Sequence, residues 1–187
     1  MKRELRERRI RDALSLPIEY RTAADARICR FVLDSGLFST AQTILCYAGT
    51  NREIDTMPLL QGTLHAGKRL CLPLCTGSGV MEARCITSLS QLSVGRYGIL
   101  APEPSGVRVL PEELDLVIVP CCTGNGKGQR LGYGGGYYDR YLPQTHCPTL
   151  LLCRSRLLTD PIPMDAHDVL MDYLVTEYGM TACERRG

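Results

Sequence analysis

Arg130-Leu131-Gly132-Tyr133-Gly134-Gly135-Gly136-Tyr137-Tyr138-Asp139-Arg140 places a cation, a run of glycines and a carboxylate in one short stretch. Glycine has no Cβ, so a ligand can come close to backbone N–H groups between Gly132 and Gly136. Arg130 precedes the glycines, and Asp139 follows them where a helix is expected to begin. Cation, bare N–H groups and carboxylate, in that order, suit a magnesium–polyphosphate complex. The loop is neither of two better-known phosphate loops. A Walker A loop needs Gly-x-x-x-x-Gly-Lys-Ser/Thr, and the nearest run, Cys121 to Gly128, lacks the first glycine and the hydroxyl residue. In a Gly-x-Gly-x-x-Gly fingerprint Gly132 and Gly134 fit, but Tyr137 stands where the third glycine belongs.

The elements around the loop must hold it in place. The apolar segment Leu114–Pro120 just before it reads as the clearest core strand. Further strands are expected at Thr43–Tyr47, Arg69–Leu74, Val80–Ile86, Thr149–Cys153 and Tyr173–Thr176, with a hairpin link at Thr76–Gly79. Helices are expected over 1–16, ending at Pro17, and over 21–35, with Ala24, Ile28, Val32 and the flanking Phe31 as the apolar face and Gly36 as the stop. Asp55 would cap a helix running to about His65. Tyr137–Leu142 forms a short helix ended by Pro143. Residues 87–113 are rich in Gly and Pro and read as irregular, and 155–170 as mostly loop. This order predicts an α/β fold: one domain over residues 1–187, a three-layer α/β/α sandwich with a largely parallel central sheet. Ligands on such sheets bind beyond the strand carboxyl ends, which is where the loop falls.

Composition narrows the function. The chain has 187 residues, 44% hydrophobic and 22% charged, typical of a soluble domain. A net charge of +2 is too small to argue for a nucleic-acid partner. Met1–Arg11 is basic without an apolar core behind it, so it is not expected to be a secretory signal. No apolar run reaches membrane-span length. A cytoplasmic location and no membrane partner follow as expectations. The ten cysteines form no Cys-x-x-Cys pair. Several sit in strand-like apolar runs, as Cys46 and Cys153 do, and read as reduced structural thiols rather than metal ligands.

The motif Arg-Leu-Gly-x-Gly-x-Gly-Tyr-Tyr-Asp, spanning Arg130–Asp139, resembles the signature of the 5-formyltetrahydrofolate cyclo-ligase family, also called 5,10-methenyltetrahydrofolate synthetase. Flanking matches extend the likeness over nearly the whole chain: Lys2-x-x-Leu5-Arg6, Glu53-Ile54-x-Thr56, Tyr97-Gly98-Ile99 with Pro102, Pro163-x-x-x-His167-Asp168, then Asp172 and Thr176-Glu177.

The resemblance implies a reaction in which ATP phosphorylates the formyl oxygen of 5-formyltetrahydrofolate. Nitrogen-10 then attacks the activated carbon, and phosphate leaves to give the methenyl bridge. It implies ATP and Mg2+ as cofactors, a folate as the small-molecule partner, and a monomer or weak homodimer. Lys2 and Arg6, spaced i, i+4 on one helix face, would hold ATP phosphates; from the residues alone they read as a solvated basic face. Arg130 and Tyr137 are expected to act in catalysis, Arg130 by countering charge on the transferring phosphoryl group. The nucleotide would lie against Leu131, Gly132, Tyr133, Gly134, Gly135, Gly136, Tyr137 and Tyr138. Phosphoryl transfer of this kind is mainly positioning and electrostatics, so no side-chain nucleophile is required. Asp139 and Asp168 would hold magnesium. Asp139 also reads as a helix N-terminal charge and Asp168 as a loop cap; His167, His65 and His146 read as structural. Glu53, with the loop from Tyr133 to Tyr137, would meet the folate. Tyr133 and Tyr137 either stack on folate or adenine or pack beneath the glycines.

The chain departs from the pattern just before the loop. The family carries Pro-x-x-x-Phe-Asp where this chain has Pro120 and then Gly124-Asn125. Loss of the ring is expected to open a wall of the folate pocket, and loss of the carboxylate to weaken metal or amine binding. On that ground a relative that binds nucleotide or folate without turnover is the alternative reading.

Overall fold

The computed structural model describes residues 1–184, with Tyr97 described by its backbone alone. The chain opens with α1 (Lys2–Ser15), α2 (Ile18–Leu33) and α3 (Gly36–Thr40), then β1 (Thr43–Leu45), α4 (Met57–His65), β2 (Arg69–Gly77) and β3 (Val80–Ile86). Short strands β4 (Leu92–Val94), β5 (Leu100–Pro102) and β6 (Arg108–Val109) lead to β7 (Leu116–Val119). The two-residue strands β8 (Thr123–Gly124) and β9 (Arg130–Leu131) precede α5 (Tyr137–Tyr141), and β10 (Thr149–Leu152), β11 (Tyr173–Thr176) and β12 (Gly179–Ala182) follow.

An eight-stranded sheet runs in the order β12-β11-β10-β7-β1-β2-β3-β6. Pairings from β11 across to β2 are parallel; β12, β3 and β6 join antiparallel at the two edges. In β7 all four residues are buried, as expected for a strand covered on both faces. Leu116 and Ile118 join one core with Ile44, Leu70, Leu150 and residues of α2, α3 and α4. Val117 and Val119 join the other with Leu45, Leu151, Ala13 of α1 and Tyr141 of α5. The expected three-layer sandwich is therefore present. Each fully buried aliphatic side chain contributes roughly 1.5–3 kcal/mol, so the end of β7 is a firm platform for the loop beyond it.

Local expectations fare unevenly. The stripe Ala24, Ile28 and Val32 is buried, but Phe31 is exposed. The second helix begins at Ile18, directly after Pro17, which serves as its N-cap. Gly36 does not stop that helix. Asp34 is its C-cap, and Gly36 instead opens α3, whose N-cap Ser35 accepts the Phe38 N–H at 3.1 Å. Thr56, not Asp55, is the N-cap of α4, although Asp55 Oδ1 does accept the Met57 N–H at 3.0 Å. The stretch 87–113 is more ordered than its Gly and Pro content suggests: β4 pairs with β5, and β6 extends the main sheet. β12 follows the strand expected to be last. α1 carries mostly charged residues and buries only Leu5 and Ala13. It is tied down from outside itself: Leu5 packs on Leu131 and Ile162, and Arg9 donates to Thr159 and the Leu158 carbonyl.

Candidate active site

A cavity of about 760 Å³ opens beyond the carboxyl ends of β1, β2 and β7. The loop after β1 supplies Tyr47, Thr50 and Glu53, β2 supplies Leu74 and Cys75, and α1 supplies Lys2 and Arg6. The whole run Arg130–Asp139 lines it, as do segments near 93–104 and 165–168.

Arg130 sits in β9, paired with Gly124 of β8, and is 6% exposed. Its Nη2 donates to Asp139 Oδ1 at 2.5 Å, its Nη1 reaches the Pro120 carbonyl at 3.4 Å, and its guanidinium lies 5.8 Å from the Tyr138 ring centre. Its Nε is buried without a hydrogen-bond partner among the described residues. A buried, unpaired donor costs about 1–3 kcal/mol, and here it belongs to a cation at a cavity wall.

The glycines let cations press against the loop. Arg6 Nε donates to the Gly132 carbonyl at 2.8 Å, and Arg140 Nη1 to the Gly135 carbonyl at 3.1 Å. A Cβ on Gly132 would lie 2.7 Å from Arg130 Nη1. Gly134 and Gly136 have φ of +97° and +65°, which other residues adopt only with strain. Gly136 is also the N-cap of α5, so the loop turns directly into the helix that carries Asp139. The ring of Tyr137 lies over Gly135.

Lys2 and Arg6 do reach the cavity together. Lys2 Nζ donates to Asp165 Oδ2 at 2.7 Å and also to Asp168 Oδ2. Burial opposes charge on Lys2, but hydrogen bonds to Asp165 and Asp168 outweigh it and hold its pKa above the ordinary value. For Asp168 burial likewise opposes ionisation. The Asp165 N–H and Lys2 outweigh it and keep the carboxyl below the usual range. Asp165, His167 and Asp168 bring ligand atoms within 4.8 Å of one another. Asp139 lies outside that group, with Oδ1 on Arg130 and no hydrogen bond to Oδ2 among the described residues. Sequence reading missed Asp165, though its i, i+3 spacing to Asp168 was the available signal.

Glu53 faces the cavity with its Oε2 accepting from the N–H and hydroxyl of Thr50, at 2.9 and 2.7 Å. Its carbonyl accepts from Arg154 Nη2 at 2.6 Å. Tyr133 is half-buried; its hydroxyl donates to the Cys121 carbonyl at 3.3 Å, and Arg52 stands 5.4 Å over its ring. Burial, and then the charge of Glu53, push that phenol well above its ordinary pKa. Tyr138 lines the cavity with its hydroxyl buried and unpartnered among the described residues. Leu131 is buried against Leu5 and fastens the loop to α1. All the residues expected to form the site therefore line this one cavity.

The family model described as "5-formyltetrahydrofolate cyclo-ligase family" matches residues 1–177. The chain belongs to that family. It is 32% identical over 142 residues to the 5-formyltetrahydrofolate cyclo-ligase of Escherichia coli K12, covering 73% of this chain and 78% of that one. It is 30% identical over 153 residues to the enzyme of the same name from Mycolicibacterium smegmatis, covering 76% and 77%. The solved structure of Aquifex aeolicus 5,10-methenyltetrahydrofolate synthetase superposes with a TM-score of 0.87 at 30% identity, covering 100% of this chain and 95% of that one.

The departures from the cyclo-ligase pattern lie off the cavity, which corrects the expectation for Gly124. Gly124 sits in β8, and a Cβ there would lie 2.4 Å from Leu151 Cδ2, inside the core. A phenylalanine at this backbone position would point into Leu151 rather than wall the pocket. Asn125 organises the β8–β9 turn: Oδ1 accepts the N–H groups of Lys127 and Gln129, and Nδ2 donates to Gln129 Oε1 at 2.8 Å. Its second donor contact, Asp160 Oδ1 at 3.3 Å, needs an amide where a carboxylate would repel.

Proposed function

We propose that the chain closes 5-formyltetrahydrofolate to 5,10-methenyltetrahydrofolate with ATP, releasing ADP and phosphate. The observation that carries this reading is Arg130, a buried cation at the cavity wall with one donor unpaired, beside an open glycine loop and within reach of Arg6 through Gly132. In the reaction the formyl oxygen attacks the terminal phosphorus and ADP leaves. Nitrogen-10 then attacks the carbon, gives up its proton, and phosphate departs with the former formyl oxygen.

Each residue has a task in that sequence. Lys2, Arg6 and the N–H groups from Gly132 to Gly136 hold the phosphates. Arg130 stabilises charge on the phosphoryl group as it transfers, where fixed cations in a partly dry site act most strongly. Tyr137, over Gly135, fixes the loop edge next to the reacting centre. Glu53, pinned by Thr50, faces the folate and is oriented before it binds. Asp139 and Asp168 would hold magnesium, whose role is to neutralise phosphate charge; the uncommitted Asp139 Oδ2 and the carboxylates at 165 and 168 suit a cation that takes few protein ligands. Gly124 and Asn125 line no part of the cavity, so no observation favours the non-catalytic alternative. A monomer or weak homodimer in the cytoplasm remains the expectation.

The test is turnover. Purified protein with 5-formyltetrahydrofolate, ATP and magnesium should generate the methenyl chromophore, and omission of ATP should abolish it. ATP binding without chromophore would overturn the reading.

A further inference from the structure

Cys71 of β2 and Cys85 of β3 oppose each other in the hairpin register, with their sulfurs 3.0 Å apart. The backbone shows which kind of pair this is. The Cys71 carbonyl accepts from Cys46 N–H at 2.9 Å, toward β1, and the Cys85 N–H donates to Val107 at 2.8 Å, on the opposite side. Both residues turn their polar groups away from each other. Such a non-hydrogen-bonded antiparallel pair brings Cα atoms to about 4.5 Å and side chains closest together. Disulfides span Cα separations of roughly 4.4–6.8 Å, so a bond fits here without moving either strand.

The two thiols differ in a useful way. Cys71 is fully buried, while Cys85 is half-buried. Arg69 lies beside Cys85 and pairs in turn with Glu113 at 3.6 Å. The Cys71 hydrogen bond, with Arg69, outweighs partial burial and Glu113 and moves the Cys85 thiol below its ordinary pKa. Cys71 is pushed the other way, by its hydrogen bond to Cys85 and by burial. Cys85 is thus the less buried and more readily ionised member, and Cys71 is a thiol already in contact with it.

We propose that Cys71 and Cys85 are a dithiol modification site that hydroperoxides oxidise to an intrachain disulfide. The Cys85 thiolate attacks the terminal peroxide oxygen; the O–O bond breaks, leaving Cys85 sulfenic acid and hydroxide from hydrogen peroxide, or an alkoxide from an organic hydroperoxide. The Cys71 sulfur then attacks the Cys85 sulfur, the S–O bond breaks, and water leaves with the Cys71 proton. Two electrons pass from the two sulfurs to the peroxide. The bond staples β2 to β3 just behind Leu74, Cys75 and Met81, which wall the cavity, while Cys71 and Cys85 themselves line none of it.

The experiment treats the intact reduced protein with equimolar hydrogen peroxide, digests it without reductant and maps thiols by mass spectrometry. Expected is a peptide joining Cys71 to Cys85, lighter by two hydrogens and restored by reductant. Cys85→Ser should keep its fold by circular dichroism and yield no cross-link. Cys71→Ser should stop at a Cys85 sulfenic acid that dimedone traps. Before oxidation, iodoacetamide should label Cys85 at least about tenfold faster than Cys147, another half-buried thiol that burial pushes up to about 11. Oxidation of Cys75 or Cys147 while Cys71 and Cys85 stay free would overturn the proposal, and so would equal labelling of Cys85 and Cys147.

Discussion

Arg154 grips Asp25 with two buried hydrogen bonds, Nε to Oδ1 at 2.7 Å and Nη2 to Oδ2 at 2.8 Å, and the same Nη2 holds the Glu53 carbonyl. Asp25 Oδ2 also accepts the Asp55 N–H at 2.9 Å. The pair therefore fastens α2 to the loop after β1, and that loop presents Glu53 to the cavity. Removing one member of a buried pair strands the other charge and costs about 3–5 kcal/mol. Asp25→Ala should lower unfolding free energy by that order in urea titrations, and Asp25→Leu with Arg154→Leu together should cost less than the two single changes summed.

Arg130→Ala should reduce turnover by about a hundredfold or more, the scale for losing one preorganised donor at a site of developing charge. Arg130→Lys should not rescue it, because an ammonium cannot reproduce a guanidinium that contacts Asp139 and Pro120 at once. Steady-state kinetics on variants checked for native circular dichroism measure both. Full activity in Arg130→Ala would contradict the phosphate assignment.

Gly136→Ala should strain the loop, since its φ of +65° costs a residue with a Cβ about 1–2 kcal/mol, and the new methyl would meet Arg140 Nη1 at 2.8 Å. Weaker ATP binding by calorimetry is the expected result, with a smaller change for Gly126→Ala, where the added Cβ would meet nothing within 4 Å.

Glu177 sets an acid limit on stability. Burial opposes its ionisation, but the Ser155 hydroxyl and N–H and the Tyr20 hydroxyl outweigh it and hold the carboxyl below its ordinary pKa. A depressed pKa stabilises the fold above the unfolded value, about 4, and that contribution is lost as pH falls through the folded value. Glu177→Gln should therefore flatten the acid side of the stability profile, as thermal melts across pH would record.

The legible part of this protein was local. Arg130 to Asp139 is contiguous, so residue types and spacing alone exposed the glycine loop that lines the cavity; Leu114–Pro120 announced its strand through unbroken apolar character. Lys2 and Arg6 needed only helical spacing. Asp25 and Arg154 lie 129 residues apart, and neither carries a local pattern, so nothing short of the fold could pair them. Gly36 and Phe31 misled for a related reason: a glycine after an apolar stripe resembles a helix stop, whereas the Ser35 cap makes it a start. Gly124 looked like a lost pocket wall because it neighbours the loop in sequence, while the β8–β9 pairing turns it toward Leu151.

In the proposed reaction the formyl oxygen takes the phosphoryl group in the cavity walled by Arg130. The most direct test of that transfer uses 5-formyltetrahydrofolate carrying a heavy isotope in the formyl oxygen, with ATP, magnesium and the intact protein, followed by mass analysis of the phosphate released. One labelled oxygen per phosphate is expected, in step with methenyl formation. Unlabelled phosphate, with the heavy oxygen recovered in water, would contradict it.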